Sequence, residues 1–482
     1  MATRLTLAAS LNRPYISSTQ FEDEPVYALL ELQPQAEAAG DQRPPLNLVL
    51  VVDSSGTMYN FQLTEDERDY WMGLALSRDE MERGEADDQE AVFWSGQTLL
   101  DMQSAVRKPM TIAVDAIKEL LHSLQYGDLV TVIAFADLPV TIFDANDWQR
   151  STEECVSKLD VLLLQQFPFD IGTGTKMAQP LNLAFERVHH IGGPTTVNRI
   201  IVISDGIVQD QRDTNTVVET IQVGGVAIST IGVGDDFDEE FLMNVADITR
   251  GAYHYAEDIQ TVARELISEL VTIQSTAVRQ LHVAAQGIAG TVVQDIYMAR
   301  PNMTIFDEID ASEGWISARV GDLPSDLTTA LLIQLAPALN GEGYHDIAKV
   351  ELSWQSLDGG VNLSAPSLQS ETVAATFTSD PDLLGQVNHE VQELVDRFTV
   401  YKLEREAQRA QESGDIDRAK DKLGAATRQL RRLGEDSLAN DLEAQISSIG
   451  TADDDPTRAK RIKATTRRLG ASPTKAESEP VV

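Results

Sequence analysis

Three segments of the sequence gather oxygen-bearing side chains where chemistry is expected. The run Val51-Val52-Asp53-Ser54-Ser55-Gly56-Thr57-Met58 ends an apolar stretch, Gly172-Thr173-Gly174-Thr175 opens an amphipathic one, and Ile203-Ser204-Asp205-Gly206 ends a second apolar stretch. Ligands of open α/β sheets bind beyond the carboxyl ends of the strands, so the three segments are expected to share one edge. They offer two carboxylates and several hydroxyls, with no thiolate or imidazole. Such a hard-oxygen set suits Mg²⁺, which takes six oxygens at about 2.0–2.1 Å and keeps several of its waters. Taken singly, each segment has a plainer reading. Asp-x-Ser at a strand end is an Asx or Ser turn, Thr175 is a helix N-cap, and Asp205-Gly206 is a turn. Their joint occurrence in one alternating domain is what points to a metal.

The elements that must hold these loops are legible in the hydrophobic pattern. Apolar strands at Leu46–Val52, Leu129–Phe135, Arg199–Ser204, Val226–Val233 and Gly251–Tyr255 alternate with helical runs near 110–124, 151–164, 177–188, 213–222, 239–249 and 259–272. That alternation predicts a Rossmann-like, doubly wound, mainly parallel α/β sheet covered on both faces, within residues 41–274. Short strand-like segments lie before it, at 4–9 and 25–32, and six more follow it between 278 and 376, separated by Gly, Pro, Asn and Asp. Two strands cannot bury a core alone. Residues 1–40 are therefore expected to join residues 275–385 in one antiparallel β-sandwich, with the α/β domain inserted into it. From Val387 the apolar spacing becomes 4, 3, 4, 3, which predicts a C-terminal helical hairpin within 386–450, turning at Ser413-Gly414 with Asp415 as N-cap. A third helix is expected at 437–446. Residues 451–482 are read as a mostly disordered tail with a short helix around 459–469.

Composition narrows the function classes. The 482 residues carry 38 basic and 76 acidic side chains, a net charge of −38. Residues 397–470 are net +3, so the remainder carries −41. A body this acidic repels nucleic acid and anionic membranes, and neither is expected as a partner. The 11 lysines against 27 arginines fit a high-salt cytoplasm and equally an acidic partner-binding protein. The single cysteine, Cys155, cannot form an internal disulfide, and the seven histidines contain one close pair, His189-His190, so a zinc site finds no support in spacing. No segment is long and apolar enough to span a bilayer and no secretory signal is evident; the expectation is a soluble, cytoplasmic protein.

With these residues in place, the sequence resembles the von Willebrand factor A family over about residues 46–272. The family's metal-ion-dependent adhesion site reads Asp-x-Ser-x-Ser, then a threonine, then an aspartate. Asp53, Ser55 and Thr57 match the first element, Thr175 the second and Asp205 the third, with Thr57 in place of a serine. Gly127–Phe135 and Ile231–Phe237 match further stretches. The resemblance implies a Mg²⁺ site, with Mn²⁺ or Ca²⁺ as substitutes, that binds an Asp or Glu carboxylate of a protein partner. It also implies no catalytic residue and no small-molecule substrate. Two alternatives are an accessory subunit of an ATPase or kinase system and a haloacid-dehalogenase-like phosphatase. Against the phosphatase, Ser55 stands where its acid/base aspartate is expected, and no lysine occupies a strand end between Ser204 and Gly234. Oligomeric state is not legible.

Residues 59–108 form an acidic insertion with large apolar groups at Tyr70, Trp71, Met72, Phe93 and Trp94. It is read either as a helical excursion packed by its own aromatics or as a cover or partner surface beside the metal, in which case Trp71, Phe93 and Trp94 are the expected partner-binding anchors. The acid-free basic stretch from Arg458 to Arg468 is expected to lie on the protein's own acidic surface or to stay solvated.

Overall fold

The computed structural model describes residues 4–20, 25–35, 44–60, 65–86, 89–106, 108–191, 196–233, 237–256, 259–306, 310–312, 314–356, 367–449 and 456–471. The chain opens with three strands, β1 (Arg4–Leu11), β2 (Tyr15–Ser17) and β3 (Val26–Gln35). The α/β domain then begins with β4 (Leu46–Asp53) and a 3₁₀ turn at Gly56–Tyr59. The insertion follows as α1 (Glu65–Arg78), β5 (Met81–Ala86), β6 (Gln89–Trp94) and α2 (Gly96–Ala105). The domain resumes with α3 (Pro109–His122), β7 (Leu129–Phe135), β8 (Pro139–Phe143), α4 (Ala145–Arg150), α5 (Thr152–Lys158), α6 (Asp160–Leu164) and α7 (Ala178–Ile191). It closes with β9 (Val197–Ser204), α8 (Gln211–Val223), β10 (Ala227–Val233), α9 (Glu239–Thr249), β11 (Tyr253–Ala256) and α10 (Ile259–Gln274).

Its six-stranded sheet runs β11-β10-β9-β4-β7-β8, parallel throughout except for β8, which pairs antiparallel with β7. Every residue of β4 is buried, as befits a central strand covered on both faces. Side-chain alternation splits it between two cores. Leu48, Leu50 and Val52 meet Ile117 of α3 and Leu266 of α10, whereas Val49 and Val51 meet Leu181 of α7 and Val218 of α8.

The sandwich resumes with β12 (Thr276–Gly287), β13 (Val292–Arg300), β14 (Thr304–Ile305), β15 (Asp310–Ser312), β16 (Trp315–Pro324), β17 (Thr329–Ala336), β18 (Gly343–Ser356) and β19 (Ser367–Thr378). Its sheets are β1-β3-β17-β13-β14 and β15-β16-β12-β18-β19-β2. The amino-terminal strands thus complete both sheets: β3 pairs with β17, Leu30 opposite Leu331, and β2 pairs with β19. The α/β domain is inserted between them.

The helices α11 (Pro381–Leu384), α12 (His389–Glu412), α13 (Ile416–Leu433), α14 (Asp436–Ser448) and α15 (Pro456–Arg468) end the chain. Period-two alternation explains where they dock. Ala28, Leu30 and Leu32 of β3 fill the sandwich interior, while Leu29, Tyr297 and Leu332 face outward onto Leu394 and Phe398 of α12. Gly414 takes φ +80° at the hairpin turn, and the Asp415 carboxylate accepts from Arg418 N at 3.2 Å, as its position predicts.

Two features depart from expectation. The insertion contains a β-hairpin, Met81 opposite Trp94, because the Val92-Phe93-Trp94 run favours a strand where its acidic flanks suggest helix. The single helix expected over 151–164 is broken into α5 and α6, and the second ends with Gln165 in the left-handed region at φ 51°. The helix expected around 459–469 is α15, with Ile462 and Thr466 buried, and its basic stretch lies on the protein's own acidic surface as expected, Lys463 pairing with Glu239 at 3.3 Å, Arg468 with Glu265 at 3.0 Å, and Arg467 with Asp247. Residues 451–455 and 472–482 lie outside the described residues, as does the Gly234-Asp235-Asp236 segment.

Candidate metal centre

The register of the central strands brings the first and third loops together. Val52 stands opposite Ile203 and Asp53 opposite Phe135, so Asp53 and Ser204 end adjacent strands side by side. Ser204 Oγ donates to Asp53 Oδ2 at 2.5 Å, and Ser55 N donates to Asp53 Oδ1 at 2.8 Å. The second bond closes an Asx turn that swings the chain out of the sheet. The 3₁₀ turn then carries Thr57 back over the edge: Ser55 Oγ and Thr57 Oγ1 are 3.0 Å apart, and Thr57 Oγ1 donates to Asp205 Oδ1 at 2.7 Å.

The second loop is pinned from both sides. Gly56 N donates to Thr173 O at 3.1 Å and Gln209 N donates to Thr175 O at 2.9 Å. Beneath it, Asp137 Oδ2 accepts from Thr173 N and Gly174 N, both at 3.2 Å, while Asp137 Oδ1 pairs with Lys176 Nζ at 2.9 Å. The Lys176 bond and these amides hold the Asp137 carboxyl below its ordinary pKa. Gly172, at φ +82°, lies so close that a Cβ there would stand 2.0 Å from Asp137 Oδ2, so both the backbone angle and the contact require glycine. The amino end of α7 is not capped by Thr175. Asp210 takes that task, accepting from Met177 N at 2.8 Å and Ala178 N at 3.1 Å, and the Thr175 hydroxyl is left to face the site. A Cβ on Gly206 would lie 2.6 Å from Thr175 Oγ1 and 3.3 Å from Asp53 Oδ2. Gly206 is therefore where the three loops touch.

All five expected metal residues converge. Asp53 and Asp205 are fully buried, Ser55 and Thr175 nearly so, and Thr57 is exposed, which makes the Thr57 side the accessible face. Burial, incompletely relieved by hydrogen bonds from Ser204 and Ser55, pushes the Asp53 pKa up to about 6. A buried carboxylate held in this way gains most from a nearby cation. Among the described residues no group of three or more His, Cys, Asp or Glu side chains could hold a metal ion. Any cation here depends on hydroxyls completing the two carboxylates, and the donor set present fits a hard divalent ion.

The expected partner anchors fare differently. Trp71 is 7% exposed and packs edge-on against Tyr70 with ring centroids 5.1 Å apart, so little of its ring is open to a partner. Tyr70 is the exposed member of the pair, at 63%. The backbone of Phe93 and Trp94 forms β6, and their side chains lie outside the described residues. Sequence reasoning missed Asp137 and Asp210, which shape the second loop, and Ser204 as a hydrogen-bond donor to Asp53. The available signal was an acid just beyond the β7 strand and another just before the α8 helix.

Comparison with known proteins agrees with this fold. The profile of the von Willebrand factor type A domain matches residues 99–275, and that of the Sll0103-like, C-terminal alpha-helical domain matches residues 389–472. The Escherichia coli (strain K12) protein YfbK is 27% identical over 161 residues, which are 32% of this chain and 26% of YfbK, so the match spans about a quarter of that relative. Among solved structures, a von Willebrand factor type A protein from Catenulispora acidiphila superposes with a TM-score of 0.69 at 16% identity, covering 97% of each chain. The ArnB paralog VWA2 from Sulfolobus acidocaldarius gives a TM-score of 0.52 at 14% identity, covering 98% of this chain and 99% of that one. The profile match begins in α2, near the end of the insertion. The Asp53–Thr57 loop is joined to the matched part by the pairing of β4 with β7 and β9.

Proposed function

We propose, from the premise that this chain is built around a von Willebrand factor type A domain, that Asp53, Ser55, Thr57, Thr175 and Asp205 hold a divalent cation that captures a carboxylate of a protein partner. Domains of this type commonly mediate protein–protein interaction. The observation that carries the proposal is the meeting of three loops: Gly206 lies against Thr175 and Asp53, Ser204 donates to Asp53, and Thr57, whose hydroxyl is 3.0 Å from that of Ser55, donates to Asp205. Mg²⁺ suits these oxygens, with Mn²⁺ and Ca²⁺ as substitutes. The cation supplies positive charge that neutral hydroxyls leave largely uncompensated, and so attracts an Asp or Glu side chain. This chain's own residues do the rest: Ser204 and the Ser55 amide orient Asp53, Thr57 orients Asp205, and Asp137 and Asp210 fix the loop that presents Thr175.

Thr57 lies on the accessible rim, and Ile207, 64% exposed, stands two residues beyond Asp205. An acidic side chain flanked by apolar groups matches such a surface. Cytoplasmic location belongs to the same proposal, supported by the single, buried Cys155; no helix among the described residues is long and apolar enough to cross a membrane. The test is capture of a partner by the full chain with Mg²⁺, with chelator, and with Asp205→Ala. Capture that persists under chelation or in the variant rejects metal-mediated recognition.

A further inference from the structure

Asn340 and Gly341 form the single Asn-Gly step of the chain; every other asparagine is followed by a residue with a side chain. Asparagine is a thermolabile residue, because the backbone nitrogen that follows it can attack its side-chain amide and close a five-membered imide. A side chain on the following residue crowds that attack. Glycine removes the crowding and lets the backbone turn.

The fold places this step in the connection between β17 and β18. Asn340 is partly exposed and residues 341–344 are fully so. A Cβ built on Gly341 would meet nothing within 4 Å, so the peptide has open space in which to rotate. The Gly341 nitrogen donates to no acceptor among the described residues, and the attacking atom therefore gives up no hydrogen bond. Its carbonyl is anchored instead. His345 Nε2 lies 2.8 Å from Gly341 O, and the His345 ring stands edge-on to Phe377 with centroids 5.6 Å apart. The leaving nitrogen is loosely held: Asn340 Nδ2 donates to Ala338 O at 3.2 Å and to Ala289 O at 3.5 Å, at and beyond the long end of the N–H···O range. Asn47 shows the opposite case, 1% exposed within the central strand β4 and with Nδ2 on both Val188 O and Asn198 Oδ1.

We propose that Asn340 is a site of spontaneous deamidation in the folded protein. The Gly341 nitrogen bonds to Asn340 Cγ, the Cγ–Nδ2 bond breaks, and the proton of the Gly341 N–H leaves with Nδ2 as ammonia. Water then opens the imide at either carbonyl, giving aspartate or, with the main chain rerouted through Cγ, isoaspartate. Nothing is oxidised or reduced, and solvent water is the only co-reactant. The product alters the loop. Asn340 ties this connection to the turn between β12 and β13 that holds Ala289, and an ionised carboxylate, which only accepts, cannot remake bonds to two carbonyl oxygens. The assignment is independent of the metal centre.

The test is prolonged incubation of the full chain in neutral buffer, followed by peptide mass mapping and by enzymatic carboxyl methylation, which marks isoaspartate. Gly341→Ala serves as the comparison, since its methyl enters open space and circular dichroism should show an unchanged fold. In the parent protein Asn340 should convert from amide to acid while the buried Asn12 and Asn47 do not, with isoaspartate among the products and a rate that rises with pH as the attacking nitrogen loses its proton. In Gly341→Ala the amide should persist at a time when much of the parent has converted. An Asn340 that stays amide as long as Asn12 and Asn47 do, or that converts as fast in Gly341→Ala as in the parent, overturns the assignment.

Discussion

Thr57 donates its hydroxyl to Asp205 at 2.7 Å across a sequence separation of 148 residues. The bond ties the loop after β4 to the loop after β9 on a solvent-exposed side of the candidate metal centre.

Replacing Thr57 by valine keeps the branched shape and deletes the bond. Because Thr57 is exposed, stability should change little, by about 0.5 kcal/mol or less. Metal affinity should fall about tenfold, roughly 1.4 kcal/mol, and Thr57→Ser should restore it. Calorimetric titration of the three proteins alongside their urea midpoints separates the two effects.

Gly206→Ala probes the contact between the loops. The new methyl would meet Thr175 Oγ1 at 2.6 Å and Asp53 Oδ2 at 3.3 Å, so the loops must part. Overpacking of this kind costs about 1–3 kcal/mol, and metal binding should weaken more than in Thr57→Val. Unfolding curves and Mn²⁺ titration check both statements.

A second prediction class concerns pH. His254 Nδ1 lies 2.7 Å from Glu265 and Nε2 lies 3.1 Å from Glu269. Burial pulls the His254 pKa down, but the two glutamates outweigh it and hold it at about 9. Burial likewise opposes ionisation of Glu265, yet His254 and Arg468 bring it to about 2. A raised histidine stabilises fully below its unfolded pKa of about 6.5 and loses that contribution as pH rises through 9. A depressed glutamate stabilises above about 4.5 and loses its contribution as pH falls toward 2. Their joint stabilisation is therefore complete between about pH 4.5 and 6.5. The difference in melting temperature between the parent protein and His254→Gln should be largest there, on the order of a few °C, and should shrink by pH 9.

The carboxyl-terminal helix acts as a clasp through Arg467, which is 4% exposed and paired with Asp247, itself 7% exposed. Arg467→Met leaves a buried carboxylate uncompensated, at a cost of about 3–5 kcal/mol. Adding Asp247→Leu should recover much of that loss. Urea denaturation of the single and double variants measures it.

How much of this was legible in the sequence depends on what fixed each feature. β4 and β7 read cleanly because central parallel strands are continuous apolar runs, and the α7 approach reads from its glycines and threonines. The candidate metal residues were legible because their spacing within each loop is local; their convergence then follows from strand order. The supports were harder. Asp137 acts through backbone amides 36 and 37 residues away, and Asp210 caps a helix 32 residues before it, pairings that no local pattern encodes. Trp71 reads as an anchor because it is an aromatic in an acidic segment, and only tertiary packing reveals that it is largely covered. The helix around 459–469 and its place on the acidic surface were legible from the acid-free basic run, whereas the acids it meets, Glu239, Asp247 and Glu265, and the burial of Ile462 and Thr466 were not, because they depend on tertiary packing.

The central claim is tested most directly by isothermal titration of Mg²⁺ and Mn²⁺ into the full chain and into Asp53→Ala and Asp205→Ala, each first shown to be folded by circular dichroism. The account predicts a single site of modest affinity in the parent protein and none in either variant. Equal binding in all three proteins, or no binding in the parent, would contradict it.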